Sequence, residues 1–525
     1  MQNVQNQIIA LTFLANAGRH LEVLEAAKEL VESAGENITI LNSIGAKLLD
    51  YGYVSSAEDC FKKALLIDPK NYEAQLNLAN CKHAVGNHSD CLRIQSQLLT
   101  EYPNNPALRR NYLLTQEYDP QTLDGERYSS ANDWGRWVSS LVGHRERPTL
   151  KPANGRPLKI GYVSSDFCQH TVGLFIKDVL GAHDRTLVEI YTYHSSAGFD
   201  WVTKKVQENS HFRNVSRLDD LQLASQIEKD GIDILIDLSG HTKGSRLTAF
   251  ALRPAPVLIS WLGYFATTGL PCMDAVLLDA GHVTPDTQLN FSEHILLINP
   301  CRFYYEPVSW AVDQPISPLP ALHNGYVTFA SFNNTSKLND SVYDVWSKIL
   351  LKVKNSRLLL KWRTFVDPEV VRFVKGKFSS RGVDPSNVQL ECASFHADLF
   401  KEYAKVDIAL DPFPFTGGLT SCEALWMGLP IVTLPQSRVI SRQTSTLMNT
   451  IGYLETIAEN EADYVAKAID LAADLEKLSL TRSSMRQKMQ ASSLMDLNGF
   501  TKNLENTLLD YYRHIEMNGS NPNSI

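Results

Sequence analysis

The chain has 525 residues, 44% of them hydrophobic and 21% charged, a length too great for one ordinary core, so two to four folded domains are expected rather than a disordered chain. A formal net charge of -8 gives no support to a nucleic-acid partner, which calls for a basic excess. The 8 cysteines are scattered without a C-x-x-C pair or a histidine cluster at zinc spacing, which reads as reduced thiols and no metal site.

The opening "MQNVQNQIIALTFLANAGRH" lacks the basic start, apolar run and small-residue cleavage site of a leader, and no later segment is long and apolar enough to span a bilayer. A cytoplasmic protein is expected. Gly18, Gly52 and Gly86 then recur at a spacing of 34 residues, as do Pro69 and Pro103, the period of tetratricopeptide helix pairs. Ala57, Phe61 and Ala64 fill the small, aromatic and small positions of the middle unit; Cys91, Gln95 and Leu98 replace them in the next, and Val23 marks a weaker first. Residues 1–115 are therefore read as two good repeats and one degenerate. Such a stack either offers a concave surface to a peptide or only packs against the domain behind it.

Residues 116–155 read as one more amphipathic helix, striped by Trp134, Trp137, Val138 and Leu141, and the linker "RPTLKPANGRP". From 156 to 316, "LKIGYVSSDF", "VEIYTYHSS" and "IDILIDLSGHT" are buried strands that end in polar residues and alternate with helices. A second series, 317–513, runs through "VTFASFNN", "SRLLLKW", "VQLECAS", "VDIALDPFPF" and "LPIVTLP". Alternation of this kind predicts an α/β protein with two parallel-sheet, Rossmann-like halves whose strand ends face a shared cleft. The tail 514–525 is expected to fray.

In "LDPFPFTGGLTSCEALWMGLP" a strand feeds a helix through Gly417-Gly418. Glycines let the backbone approach a ligand, and the free N–H groups of a new helix suit an anion; an ordinary strand-turn-helix would look the same. Neither a dinucleotide fingerprint nor a P-loop signature occurs in the strand-helix turns, which disfavours oxidoreductases and P-loop NTPases.

Taken together, "LKIGYVSSDFCQH", "GHTKGSRLTAFALRPAPVLISWLGYFATTGLPCMDAVLLD", "FASFNNTSKLND" and "LDPFPFTGGLTSCEALWMGLPIVTL" resemble the O-linked N-acetylglucosamine transferase and SPINDLY family over residues 156 to 510. The resemblance implies a GT-B fold, a nucleotide sugar held mainly by the second half, and metal-independent inversion with transfer to Ser or Thr hydroxyls of a protein. No cofactor is implied beyond the nucleotide sugar. Lys337 falls at the family's diphosphate lysine, Thr420 and Ser421 with the Gly417-Gly418 turn at its diphosphate cradle, and Glu423 at its ribose acid. Asn334 stands where one branch has glutamine, and His396 lies in the base-lining segment. Thr242 and the backbone of Leu262 and Gly263 match sugar-holding positions, while Phe265 replaces a common proline. His170 matches a histidine that serves as general base or organises the acceptor site, with His241 and Asp166 as the other candidates.

UDP-N-acetylglucosamine is the expected donor, with a UDP-hexose or the GDP-fucose of plant SPINDLY members as alternatives. The short array suggests a narrow set of acceptors, such as a flagellar or surface protein. Repeat edges could pair two copies. The rival readings are a non-catalytic repeat scaffold and a nucleotide-sugar epimerase.

Overall fold

The computed structural model describes residues 2–518, with side chains from residue 8 to residue 517. Eight helices come first: α1 (Gln2–Asn16), α2 (His20–Ala34), α3 (Ile38–Asp50), α4 (Val54–Ile67), α5 (Tyr72–Ala84), α6 (His88–Glu101), α7 (Pro106–Tyr118) and α8 (Asp124–Val142). The repeat chemistry explains their pairing. Phe61 of α4 lies over Gly45 of α3, where a β-carbon would sit 2.6 Å from the ring, and Ala57, Phe61 and Ala64 are fully buried. Asn37, Asn71 and Asn105 recur with the same spacing of 34 and cap α3, α5 and α7, each side chain accepting a backbone N–H of the first turn. Each such cap is worth about 1 kcal/mol. The array boundary expected at 115 falls inside α7, which runs on to Tyr118.

Two parallel sheets come next in the chain. The first holds β1 (Leu158–Ser164), β2 (Val188–His194), β3 (His211–Asn214), β4 (Ile234–Asp237), β5 (Val257–Ser260), β6 (Ala275–Leu278) and β7 (His294–Leu297), in the order β3-β2-β1-β4-β5-β6-β7. The second holds β8 (Thr328–Ser331), β9 (Arg357–Lys361), β10 (Val388–Glu391), β11 (Ile408–Leu410) and β12 (Ile431–Val432), in the order β10-β9-β8-β11-β12. Strands β1, β4, β5, β8 and β12 bury nearly every residue, as strands covered on both faces must.

The array packs on the second half. A single apolar core contains Leu48, Phe61 and Ala64 together with Phe365, Val370 and Trp346. Asp367 accepts from the backbone N–H of Ser55 (2.6 Å) and from its hydroxyl (2.8 Å). The repeat glycines do double service here: Gly52 and Gly86 turn the chain at φ 92° and 77°, and their missing β-carbons would lie 2.5 Å from the Arg363 carbonyl and 1.9 Å from the Leu338 carbonyl. Helix α8 instead lies on the first half, where Gly135 meets Gly269 backbone to backbone and Trp134 stands edge-on to His241 at 4.4 Å. Arg438 of the second half donates to the carbonyls of Gln116, Glu117, Asp119 and Thr122 at the α7–α8 turn. The array thus touches both halves.

The last helix, Leu497–Asn518, corrects two expectations. The chain does not fray from 514: Tyr511, Tyr512 and Ile515 are buried, so the helix continues through Asn518, and the rest of the expected tail lies outside the described residues. Nor does the second half close at 513 as a self-contained unit. This helix packs on the first sheet, through Glu505 on His183 (2.9 Å), Tyr511 on the Asp274 carbonyl (3.2 Å) and Phe500 stacked on Trp261. No helix among the described residues is long and apolar enough to cross a membrane.

Candidate functional site

The C-terminal end of β8 opens into "FNNTSK", a tight turn over Thr335–Lys337, and β11 opens into the Gly417-Gly418 turn that starts the helix Leu419–Trp426. Strands β8 and β11 are neighbours, so the loops after them face each other. Lys337 comes from one loop and reaches the other: its ammonium donates to Asn333 Oδ1 (2.9 Å) and to the Thr416 carbonyl (2.8 Å), 4.5 Å from the centre of the Phe415 ring. Burial pulls its pKa down to about 8, against the pull of the nearby Asp411 carboxylate.

Gly418 occupies the N-cap of the Leu419–Trp426 helix, and no side chain caps it. The first-turn N–H groups and the positive end of the helix dipole are therefore presented beside the lysine, an arrangement suited to a polyanion. Gly417 is held by Asp411, whose Oδ1 accepts its N–H at 2.7 Å, and a β-carbon there would strike Ser421 Oγ at 2.2 Å. Thr420 lines the recess and donates to Asn333 Oδ1 at 3.3 Å. The recess is lined also by Phe332, Asn333, Asp411, Ser421 and Ala424.

Several expected contacts are redirected. Ser421 lines the recess beside Thr420, and its hydroxyl is already bonded to that of Thr444 (2.8 Å). Asn334 caps the Thr335–Lys337 turn, its Oδ1 accepting the Ser336 N–H at 3.1 Å; its neighbour Asn333 takes the place at the recess. Glu423 is buried and does not cap its helix; its Oε1 pairs with His396 Nε2 at 2.6 Å.

His396 also reaches across the cleft. Its Nδ1 is 3.5 Å from Gln169 Nε2, and its ring stands edge-on to Trp310, which in turn meets Trp201 edge-on. Gln169 accepts from Trp201 Nε1 at 3.2 Å. Gln169, Trp201 and Trp310 thus join the two halves beside His396; Gln169 lies within the "SSDFCQH" motif next to His170, whereas Trp201 and Trp310 carried no periodic or motif signal by which to find them.

On the first half, His170 starts α9 (Thr171–Ile176) with half its ring exposed. Its Nδ1 lies 3.4 Å from the Val172 N–H and 3.7 Å from Asp166 Oδ2, two neighbours that compete for that nitrogen. His241 does not share this position: it is 1% exposed beneath Trp134 and Tyr264, with Nε2 on the Thr268 carbonyl at 2.9 Å, and burial pushes its pKa down to about 4. It is a neutral, enclosed ring, unable to meet an incoming hydroxyl. Thr242 donates to the Ser239 carbonyl (2.7 Å). Leu262 takes φ 64°, and Gly263 packs where a β-carbon would lie 1.9 Å from the Leu238 carbonyl, so these two form a strained, close-packed turn beyond β5. Phe265 next to them meets Phe415 edge-on at 6.3 Å, joining the two halves across the cleft floor.

The model of glycosyl transferase family 41 matches residues 144–305 and 319–504, and a tetratricopeptide-repeat model matches residues 48–114. The chain belongs to glycosyl transferase family 41. Among similar family members is the tomato (Solanum lycopersicum) protein described as a probable UDP-N-acetylglucosamine–peptide N-acetylglucosaminyltransferase SPINDLY, 35% identical over 78% of this chain and 45% of its own length. The Caenorhabditis elegans UDP-N-acetylglucosamine–peptide N-acetylglucosaminyltransferase is 25% identical over 71% of this chain and 42% of its own. The chain spans about half the length of the curated relatives it matches. A solved structure of a mutant Thermobaculum terrenum O-GlcNAc transferase superposes with a TM-score of 0.88 at 29% identity, covering 97% of this chain and 98% of that one. The family 41 assignment and this superposition give the GT-B architecture of helical repeats before two Rossmann-like halves.

Proposed function

We propose that this family 41 chain transfers a sugar, N-acetylglucosamine from its UDP donor in the first instance, to Ser or Thr hydroxyls of a protein without a bound metal. The observation that carries the reading is the half-buried ammonium of Lys337 beside the uncapped start of the Leu419–Trp426 helix. A diphosphate leaving group needs positive charge as the bond to the sugar breaks; the lysine and the helix dipole supply it where other enzymes use a cation. Thr420 and the Gly417-Gly418 backbone cradle the phosphates, and Glu423, oriented by His396, takes the ribose hydroxyls. The acceptor oxygen attacks the anomeric carbon from the face opposite the diphosphate, the new C–O bond forming as the sugar–phosphate bond breaks. Its proton passes to a base on the first half. His170 suits that role when Asp166 holds the Nδ1–H tautomer and frees Nε2.

Titrating UDP, UDP-N-acetylglucosamine, UDP-glucose and GDP-fucose into the protein with a chelator present tests donor and metal together. One nucleotide series is expected to bind in the chelated sample. Binding that returns only with added divalent metal would sink the metal-free mechanism, and a GDP-fucose preference would replace the donor.

Two further outcomes are expected. Glu423→Ala should weaken the bound nucleotide sugar by roughly tenfold or more, since it removes a charged acceptor and takes the partner of His396 Nε2 away, whereas an unchanged calorimetric affinity would take the ribose away from Glu423. The second concerns pH. The Lys337 pKa of about 8 in the free protein must rise when a diphosphate binds, so above pH 8 binding takes up a proton. Affinity for UDP should therefore fall as pH rises above about 8, approaching about tenfold per unit, and change little between about pH 7 and 8, above the range where the terminal phosphate of UDP takes up its own proton. In Lys337→Ala the slope should vanish; a wild-type profile flat through pH 9 would contradict it.

A further inference from the structure

The turn that carries Lys337 is held from the helical array. The α5–α6 corner, Ala84 to His88, lies directly on it: His88 Nε2 donates to the Ser336 carbonyl at 2.7 Å, and Thr335 Oγ1 donates to the Ala84 carbonyl at 2.7 Å. Between them Gly86 packs so closely that its missing β-carbon would lie 1.9 Å from the Leu338 carbonyl. His88 is 3% exposed and burial pushes its pKa down to about 4, so it stays a neutral Nε2–H donor. An aromatic chain continues the contact. His88 and His83 pack on each other and on Tyr118, Tyr118 packs on Phe415 with ring centres 4.4 Å apart, and Phe415 lies under the Lys337 ammonium.

We propose that His88 is a positioning residue for Lys337, so that a corner of the helical array sets the height of the ammonium in the phosphate recess. This rests on the donor-binding role of Lys337. The residue just before the lysine is fixed through its carbonyl by one imidazole, and the residue before that through its side chain. Loss of the imidazole bond frees the Ser336 peptide, in the loop after β8, that aims the lysine, while β8, β11 and the Gly417-Gly418 turn opposite keep their own bonds.

The experiment is a double-mutant cycle on UDP affinity in the full chain, read by calorimetry with GDP in parallel. His88→Leu, which fills the space without an N–H, is expected to weaken UDP binding about tenfold, the scale of one buried hydrogen bond. In the Lys337→Ala background the same change should cost no more than about twofold, because its effect passes through the lysine. His88→Gln, which restores a donor at similar reach, should recover affinity to within about twofold of wild type. Equal losses in both backgrounds, or no loss from His88→Leu, overturn the positioning role. Wild-type affinity in Lys337→Ala alone overturns the donor reading and the positioning role with it. If His88→Leu fails to fold, Thr335→Val runs the same cycle by removing the second tie.

Discussion

Replacing Lys337 with alanine is expected to lower the transfer rate by about 10² to 10³-fold, the usual cost of removing one preorganised group that stabilises charge developing in a transition state. The loss should appear in kcat with a smaller change in donor KM, because the ammonium is worth most when the diphosphate carries its full leaving-group charge. Folding should not suffer. The pKa of this lysine is pulled down by burial, so the charged form is held in the folded protein at a cost, and removing it relieves that cost. Lys337→Met, which keeps the apolar stem over Phe415, should be at least as heat-stable as wild type and equally inactive. A variant that loses activity only in proportion to lost stability would show that Lys337 braces the loop and does not act on the diphosphate.

Gly135→Ala is expected to be among the most destabilising single changes in the chain. Its added methyl would sit 1.7 Å from the Gly269 carbonyl oxygen and 2.5 Å from the carbonyl carbon, both backbone atoms that have no rotamer to escape through. Gly269 is pinned from the other side, at φ 70° and with its own missing β-carbon 2.0 Å from the Ala131 carbonyl. Helix α8 must therefore lift off the first half, breaking the Trp134–His241 contact, at a cost of about 3 kcal/mol or more. A chain of several domains does not unfold in one step, so the check is local: hydrogen exchange across residues 124–142 should quicken markedly, with a lower first thermal transition. Unchanged exchange there would mean that the loop yields and the helix does not.

Much of this architecture was legible because it is written locally. The 34-residue spacing, the buried strands with polar ends and the glycine turn at 417–418 each lie within a short window, and each folds as its pattern dictates. Lys337 was recognisable from its motif and lies at the strand end where that motif places it. What could not be read are pairings fixed by distant chain segments. The bond between the Ser421 and Thr444 hydroxyls joins positions 23 residues apart, and Asn333, not Asn334, faces the recess because the tightness of a three-residue turn decides which of two adjacent amides points inward. His241 sits in a motif of polar residues, yet Trp134, more than a hundred positions earlier, covers it. The last helix carries an apolar stripe that declares a partner without saying which sheet.

That last helix, together with the array, gives the molecule an unusual mechanical character. The chain passes from the first half to the second near Tyr305 and returns near Leu494, and these two passages are tied to each other by a backbone hydrogen bond of 3.0 Å. On another side, α8 grips the first half while α3 to α6 and the Arg438 clasp grip the second. First half, passage, second half and array therefore form a closed ring of contacts, in which no joint can open without straining another. A two-lobed enzyme joined at one place can gape freely to admit its substrates; this one is expected to breathe only slightly. Under the proposed function, entry would then depend on order: a nucleotide sugar bound beside Lys337 would have to enter before a polypeptide covers Trp201 and Trp310, and its spent nucleotide would leave after the polypeptide does.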